Sequence, residues 1–163
     1  MGIIRQLAAK ESAFSLEFFP PKKDMPMSTV YFAIDRLAVR QPVFVSVTYG
    51  AGGGNRDRTL EVVSRVSSMG LDAIAHLTCV GATPATISEI LDTLEAKGVR
   101  NVLALRGDVP AGMDRDTAFT HYRHATDLIA EIKKRPGFFV AAAAYPEAHV
   151  ESPSLDQDIE YMK

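Results

Sequence analysis

The chain has 163 residues, 47% of them apolar and 23% charged, with a formal net charge of −2. That is the composition of a soluble globular protein large enough to bury one core, and it offers no basic surface for nucleic acid. The single cysteine, Cys79, excludes an intrachain disulfide and points to a reducing compartment, and no apolar run reaches the ~18 residues of a membrane span.

The opening stretch, "MGIIRQLAAKES", has too short an apolar part for a signal peptide, so a cytoplasmic location with no membrane partner is expected. The first strand-like run is "FSLEFF" (14–19), stopped by Pro20 and Pro21. Its alternation puts Phe14, Leu16 and Phe18 on one face and Ser15, Glu17 and Phe19 on the other. Glu17 is a carboxylate inside an apolar strand. Desolvation there would raise its pKa and let it hold a proton near neutral pH. A buried ion pair with Arg56, Arg58 or Arg106 is the alternative reading.

"STVYFAIDRLAV" (28–39) has helical spacing, and "VFVSVTY" (43–49) is a strand ending in Thr48 and Tyr49. The glycines that follow approximate a dinucleotide fingerprint. Counted from Gly50, however, the G-x-G-x-x-G template needs glycine at Asn55, and no P-loop lysine follows. The loop backbone can still come close to a flat ring or a phosphate. A helix over 58–70 leads to the strand "AIAHLT" (73–78), which carries His76 and Thr78. His76 reads either as a site residue or as a satisfied core histidine, and Cys79 as a packing residue.

"TPATISEILDTLEAKG" (83–98) offers Thr83 as N-cap, Pro84 in the first turn and Gly98 as a stop. "NVLALRGD" (101–108) is a strand ending in Arg106, Gly107 and Asp108; an adhesion role for its "RGD" would need an exposed extracellular loop. One helix is expected over 116–137. His121 and His124 lie three residues apart on it with no third ligand, so no metal site is expected. "FFVAAAAY" (138–145) ends in Tyr145, with Glu147 and His149 beyond. A last helix spans 152–163, with Ser154 and Gln157 at capping-box spacing.

Alternating strands and helices imply a parallel sheet with right-handed crossovers. A five-stranded flavodoxin-like sheet fits the pattern. So does a (β/α)₈ barrel, which takes about 250 residues and of which this chain would supply five units. Either architecture binds ligands at the carboxyl ends of its strands, where these polar residues gather.

Five strings occur in order over nearly the whole chain: "FSLEFFPPK", "FVSVTYGAGGGNRDRT", "HLTCVGATP", "LALRGDVP" and "AAYPEAHVE". Together they resemble the methylenetetrahydrofolate reductase family. The resemblance implies an α/β fold, a flavin-bearing (β/α)₈ TIM barrel incomplete here, as one partial domain over residues 1–163. It implies an oxidoreductase that takes hydride from NADH or NADPH onto FAD. The hydride then passes to 5,10-methylenetetrahydrofolate, giving 5-methyltetrahydrofolate for methionine synthesis.

On that resemblance Glu17 matches the general acid that protonates the folate nitrogen as the ring opens to an iminium ion. Asp108 matches a carboxylate that tunes the flavin and favours folate binding. Thr48, Tyr49 and Ala51 match flavin and nicotinamide contacts, and His76 a flavin contact. Arg106, Gly107 and Asp108 match the segment beneath the isoalloxazine and diphosphate, and Ala125 a position beside the adenosine. Tyr145, His149 and Asp158 match contacts to the ribityl and ADP portions.

Val150 stands where the family has proline, and Ser152 and Tyr161 also depart from the common residues, so neither is assigned to the flavin. Family members continue through three further strands, with a flavin-binding lysine and folate-holding residues past Lys163. The chain therefore reads as part of a longer enzyme. The alternative is a truncated, non-catalytic flavin-binding or assembly module. A flavodoxin-like electron carrier would need a phosphate loop where "PPKKDMP" stands. The apolar edges "FSLEFF" and "FFVAAAAY" would favour a homo-oligomer, or pairing with the missing C-terminal barrel half.

Overall fold

A computed structural model describes residues 3–49 and 56–163. Its helical layer follows from apolar spacing. Helix α1 is Ile3–Ala8, and α2 (Ser28–Ala38) buries Val30 and Ile34 one turn apart. In α3 (Arg56–Ser68), Thr59, Val62, Val63 and Val66 form one buried stripe, as do Ile87, Ile90, Leu91 and Leu94 in α4 (Pro84–Ala96). Beyond the short α5 (Arg115–Ala118), α6 (Ala125–Lys133) buries Leu128 and Ile132, and α7 (Leu155–Met162) buries none. Each fully buried side chain of this size favours the fold by about 1.5–3 kcal/mol over exposure.

Helices α2 to α6 pack on one face of a sheet of five strands, β1 (Leu16–Phe18), β2 (Val45–Val47), β3 (Ala73–Thr78), β4 (Asn101–Leu105) and β5 (Phe139–Ala142). All neighbouring pairs are parallel and the order is β1-β2-β3-β4-β5. A doubly wound sheet reverses its order partway and takes helices on both faces. This sheet's order does not reverse and its crossover helices lie on one face, which removes the flavodoxin-like alternative: an α/β fold with the strand order of a partial (β/α)₈ barrel remains.

Register sorts the side chains. Leu16, Val45, Ala73, Val102 and Val140 face the helices. Glu17, Ser46, Ile74, His76, Leu103 and Ala141 face the other side. At the amino-terminal end of that second face sits α1, an element with no counterpart in the sequence reading. Its Ile3 packs with Val43 and Ile74, against Phe44 and Leu103. Gln6 Nε2 donates to Asp72 Oδ2 at 2.5 Å.

The single helix expected over 116–137 is two. Asp114 Oδ1 accepts from Thr117 N at 2.9 Å and starts α5. Asp127 Oδ2 accepts from both Arg123 N and His124 N at 2.9 Å and starts α6. Between these starts the chain turns Phe119 and Tyr122 into the core, both 4% exposed. No helix among the described residues is long and apolar enough to cross a membrane.

Helix α4 starts as its sequence implies. Thr83 Oγ1 accepts from Thr86 N at 3.1 Å, Thr86 Oγ1 accepts from Thr83 N at 2.8 Å, and Gly98 takes φ 74° past the end. Thr83→Ala leaves Thr86 N without its acceptor and is expected to cost about 1 kcal/mol. Urea unfolding should show a lower midpoint at unchanged slope; an unchanged midpoint would mean that the box adds nothing.

Candidate functional site

At the carboxyl ends of the strands the second face becomes polar. Glu17 leaves β1 beside Ser46, whose Oγ donates to Glu17 Oε2 at 3.2 Å. His76 Nε2, on β3, lies 3.5 Å from the same oxygen. That is close enough for a Coulombic contact, yet the nitrogen is buried without a hydrogen bond.

The expected desolvation of Glu17 is not met, since its side chain is 47% exposed. It points off the face that has no helical layer, and among the described residues Ser46 and His76 are what it touches. Nor does it pair with an arginine. Arg56 bonds Glu89, Arg58 donates to the carbonyls of Pro21, Lys22, Lys23 and Met25, and Arg106 bonds Glu151. His76 is the buried member, 6% exposed. Burial lowers its pKa below the ordinary 6.5, and the Glu17 carboxylate pulls part of the way back. At neutral pH it is a neutral imidazole, so the Glu17 contact is not a full ion pair.

A cavity of about 410 Å³ opens where β4 and β5 end. Ala104, Leu105, Ala125 and Ala143 give it small apolar walls, and Arg106, Gly107, Asp108, Tyr145, His149 and Asp158 its polar rim. Seven residues singled out in the sequence thus meet at one place. Gly107 has φ 81°, and a Cβ there would come within 3.0 Å of both Thr78 and Val80, so only glycine lets this segment cross the end of β3.

The loop after β5 is tied down by its own side chains. Asp158 Oδ2 accepts from His149 N at 2.9 Å, His149 Nδ1 accepts from Glu151 N at 3.1 Å, and Tyr145 meets the His149 ring edge-on at 4.9 Å.

The other expected residues lie apart. Thr48 is half-buried after β2, its carbonyl accepting from Thr59 Oγ1 at 2.9 Å. Tyr49 lines a second cavity of about 180 Å³ with Arg56, Thr78 and Thr86. Ala51 and the glycines around it lie outside the described residues. Cys79 is buried, its thiol donating to the His124 carbonyl at 3.3 Å and pushed up by burial to about 12.

The large cavity is also lined by Ser152 and Tyr161, which the sequence reading set aside, and by His124, which it weighed only as a metal ligand; sequence reasoning missed Glu151, another lining residue, and Arg115, whose side chain reaches Glu151. Glu151 closes the quoted string "AAYPEAHVE" and so carried a signal; Arg115, the first residue of the short α5, carried none. Arg115 and Arg106 together hold the Glu151 carboxyl down to about 2. Among the described residues no group of three or more His, Cys, Asp or Glu is placed to hold a metal.

Crossover helices on one side of a parallel sheet in chain order define a barrel-type α/β protein. The chain matches the methylenetetrahydrofolate reductase family over residues 3–163, and it belongs to that family. It is 40% identical over 150 residues to 5,10-methylenetetrahydrofolate reductase of Escherichia coli (strain K12), covering 91% of this chain and 49% of that protein. To the protein of Arabidopsis thaliana named methylenetetrahydrofolate reductase (NADH) 1 it is 37% identical over 166 residues, covering 94% of this chain and 28% of that one. The chain spans about half the length of the bacterial relatives it matches.

The Glu17–His76 contact yields a titration. Glu17→Gln removes the charge that favours imidazolium and should lower the His76 pKa further, as read by NMR of the ring protons. A rise, or no change, would mean that the carboxylate does not act on the ring. Because the folded pKa is the lower one, the contribution of His76 to stability is complete above pH 6.5 and is lost as pH falls below it.

Proposed function

We propose that this chain forms the flavin-binding, acid-bearing part of an enzyme that reduces 5,10-methylenetetrahydrofolate to 5-methyltetrahydrofolate with NADH or NADPH. The observation that carries the proposal is convergence. Arg106, Gly107, Asp108, Ala125, Tyr145, His149 and Asp158, each matched to a flavin contact on sequence resemblance alone, line one cavity of about 410 Å³. That volume is of the size that ligand pockets take.

The residues fit FAD. Small apolar walls suit a flat ring, the Gly107 crossing brings backbone close to it, and Arg106 supplies a cation for a diphosphate. A bound flavin supplies hydride storage between a nicotinamide donor and the folate. Asp108, exposed at the rim, adds negative charge beside it. The plant relative's name specifies NADH, whereas for this chain either nicotinamide serves the proposal.

Glu17 is proposed as the general acid, on β1 and accessible from the open face. Ser46 and the neutral His76 orient it without neutralising it. A substrate ring laid over that face would exclude water from the carboxylate, which the chain's own side chains do not do. A purely flavin-binding module would leave this arrangement without a purpose.

The test is Glu17→Gln in the intact protein. Folate reduction should fall by on the order of 10²–10⁴-fold, the usual worth of a positioned acid. NAD(P)H oxidation by a quinone acceptor should persist, because no folate proton enters that half-reaction. Equal loss of both with the fold intact, or retention of both, contradicts the role.

A further inference from the structure

The cations at the mouth of the large cavity are already engaged. Glu151 Oε2 lies 2.5 Å from Arg106 Nη1 and 2.7 Å from Arg115 Nη2, and its Oε1 lies 3.3 Å from Arg115 Nη1. The three residues come from separate places: Arg106 just past β4, Arg115 at the start of α5, and Glu151 on the loop between β5 and α7. The Arg106 guanidinium also sits 5.7 Å over the Phe119 ring, which fixes its plane. Two guanidiniums meeting on one oxygen from different elements form a seat for an oxyanion, the geometry by which arginine recognises carboxylate and phosphate alike. Arg106 and Glu151 line the cavity itself.

Charge decides who can share this seat. With Glu151 in place, the two arginines and one carboxylate leave a single positive charge. A diphosphate added to that cluster would make it net negative, with like charges in contact. A diphosphate in place of Glu151 neutralises both arginines. The carboxylate and the ligand therefore exclude each other.

We propose that Glu151 is a self-ligand, whose carboxylate fills an Arg106–Arg115 oxyanion seat until a diphosphate group of the incoming ligand displaces it. This rests on reading the cavity as a dinucleotide site, and it adds Arg115 to the residues that bind the anion. Displacement also frees the loop after β5. Glu151 then keeps only its backbone tie to His149, so filling the seat couples to the position of His149 and Tyr145.

The test is calorimetric titration of the flavin-free intact protein with inorganic pyrophosphate, beside a separate titration with FAD. Glu151→Gln keeps the shape and removes the competing charge, and should bind pyrophosphate about tenfold more tightly than the unaltered protein, one step on the affinity scale. Adding Arg115→Ala to that variant should abolish the gain. Equal or weaker pyrophosphate binding by Glu151→Gln, or no binding by either protein, overturns the proposal.

Should Glu151→Gln fail to fold, the unaltered protein still decides. The ¹³C signal of the Glu151 carboxylate should move as pyrophosphate saturates, and a signal that stays put overturns displacement. Tighter pyrophosphate binding without any FAD binding would leave the self-ligand standing and count against the flavin reading alone.

Discussion

Five parallel strands hydrogen-bonded in chain order are the constraint on which the rest depends. Because every strand runs the same way, every carboxyl end reaches one rim. Because the order never reverses, the crossover helices stay on one side, and beyond α1 at its amino-terminal end the other side carries no helical layer among the described residues. Strand β3 is the keystone. All six of its residues are buried, with Ala73, Ala75 and Leu77 against the helices and Ile74 against Ile3 of α1. Alanines at two of the three helix-facing positions let α3 approach closely, and the same alternation puts His76 on the face of Glu17.

The inward face is graded along the strands. Its amino-terminal end is apolar and closed by α1; its carboxyl end carries Glu17, Ser46, His76 and then the rim of the large cavity. Polar groups there are held by one another rather than by the core: Asp158 fixes His149, His149 fixes the backbone of Glu151, and Glu151 spans Arg106 and Arg115. A site assembled from loop side chains in this way is positioned by the scaffold yet free to exchange partners, as ligand-binding loops must be.

Much of this was legible in the sequence, for reasons that differ by element. Helix α4 carried its own start and stop in Thr83, Pro84 and Gly98. Periodicity distinguished strands from helices but not strand order; the quoted family strings, not the pattern, pointed to the barrel, and the strand pairing agrees with them. Asp114 and Asp127 were visible as residues but not as caps, and the break between α5 and α6 was lost in a continuous helical pattern. Glu17 was read as desolvated because its strand neighbours are apolar. Those neighbours point the other way, and nothing in a one-dimensional pattern says how open the facing side is. Of the cavity residues, Arg106, Gly107, Asp108, Tyr145 and His149 were visible as strand-end residues, whereas Ala125 and Asp158 came from family resemblance alone. The ion pairs of Arg115 and Glu151 join positions 36 residues apart, beyond any local rule.

The cavity at the ends of β4 and β5 is the proposed flavin site. Amide chemical-shift mapping of the intact protein during titration with FAD tests it most directly. Saturable shifts are expected to concentrate at residues 106–108, Ala125, Tyr145, His149 and Asp158. Shifts confined to the smaller cavity around Tyr49 and Thr86, or to the α1 end of the sheet, would contradict it.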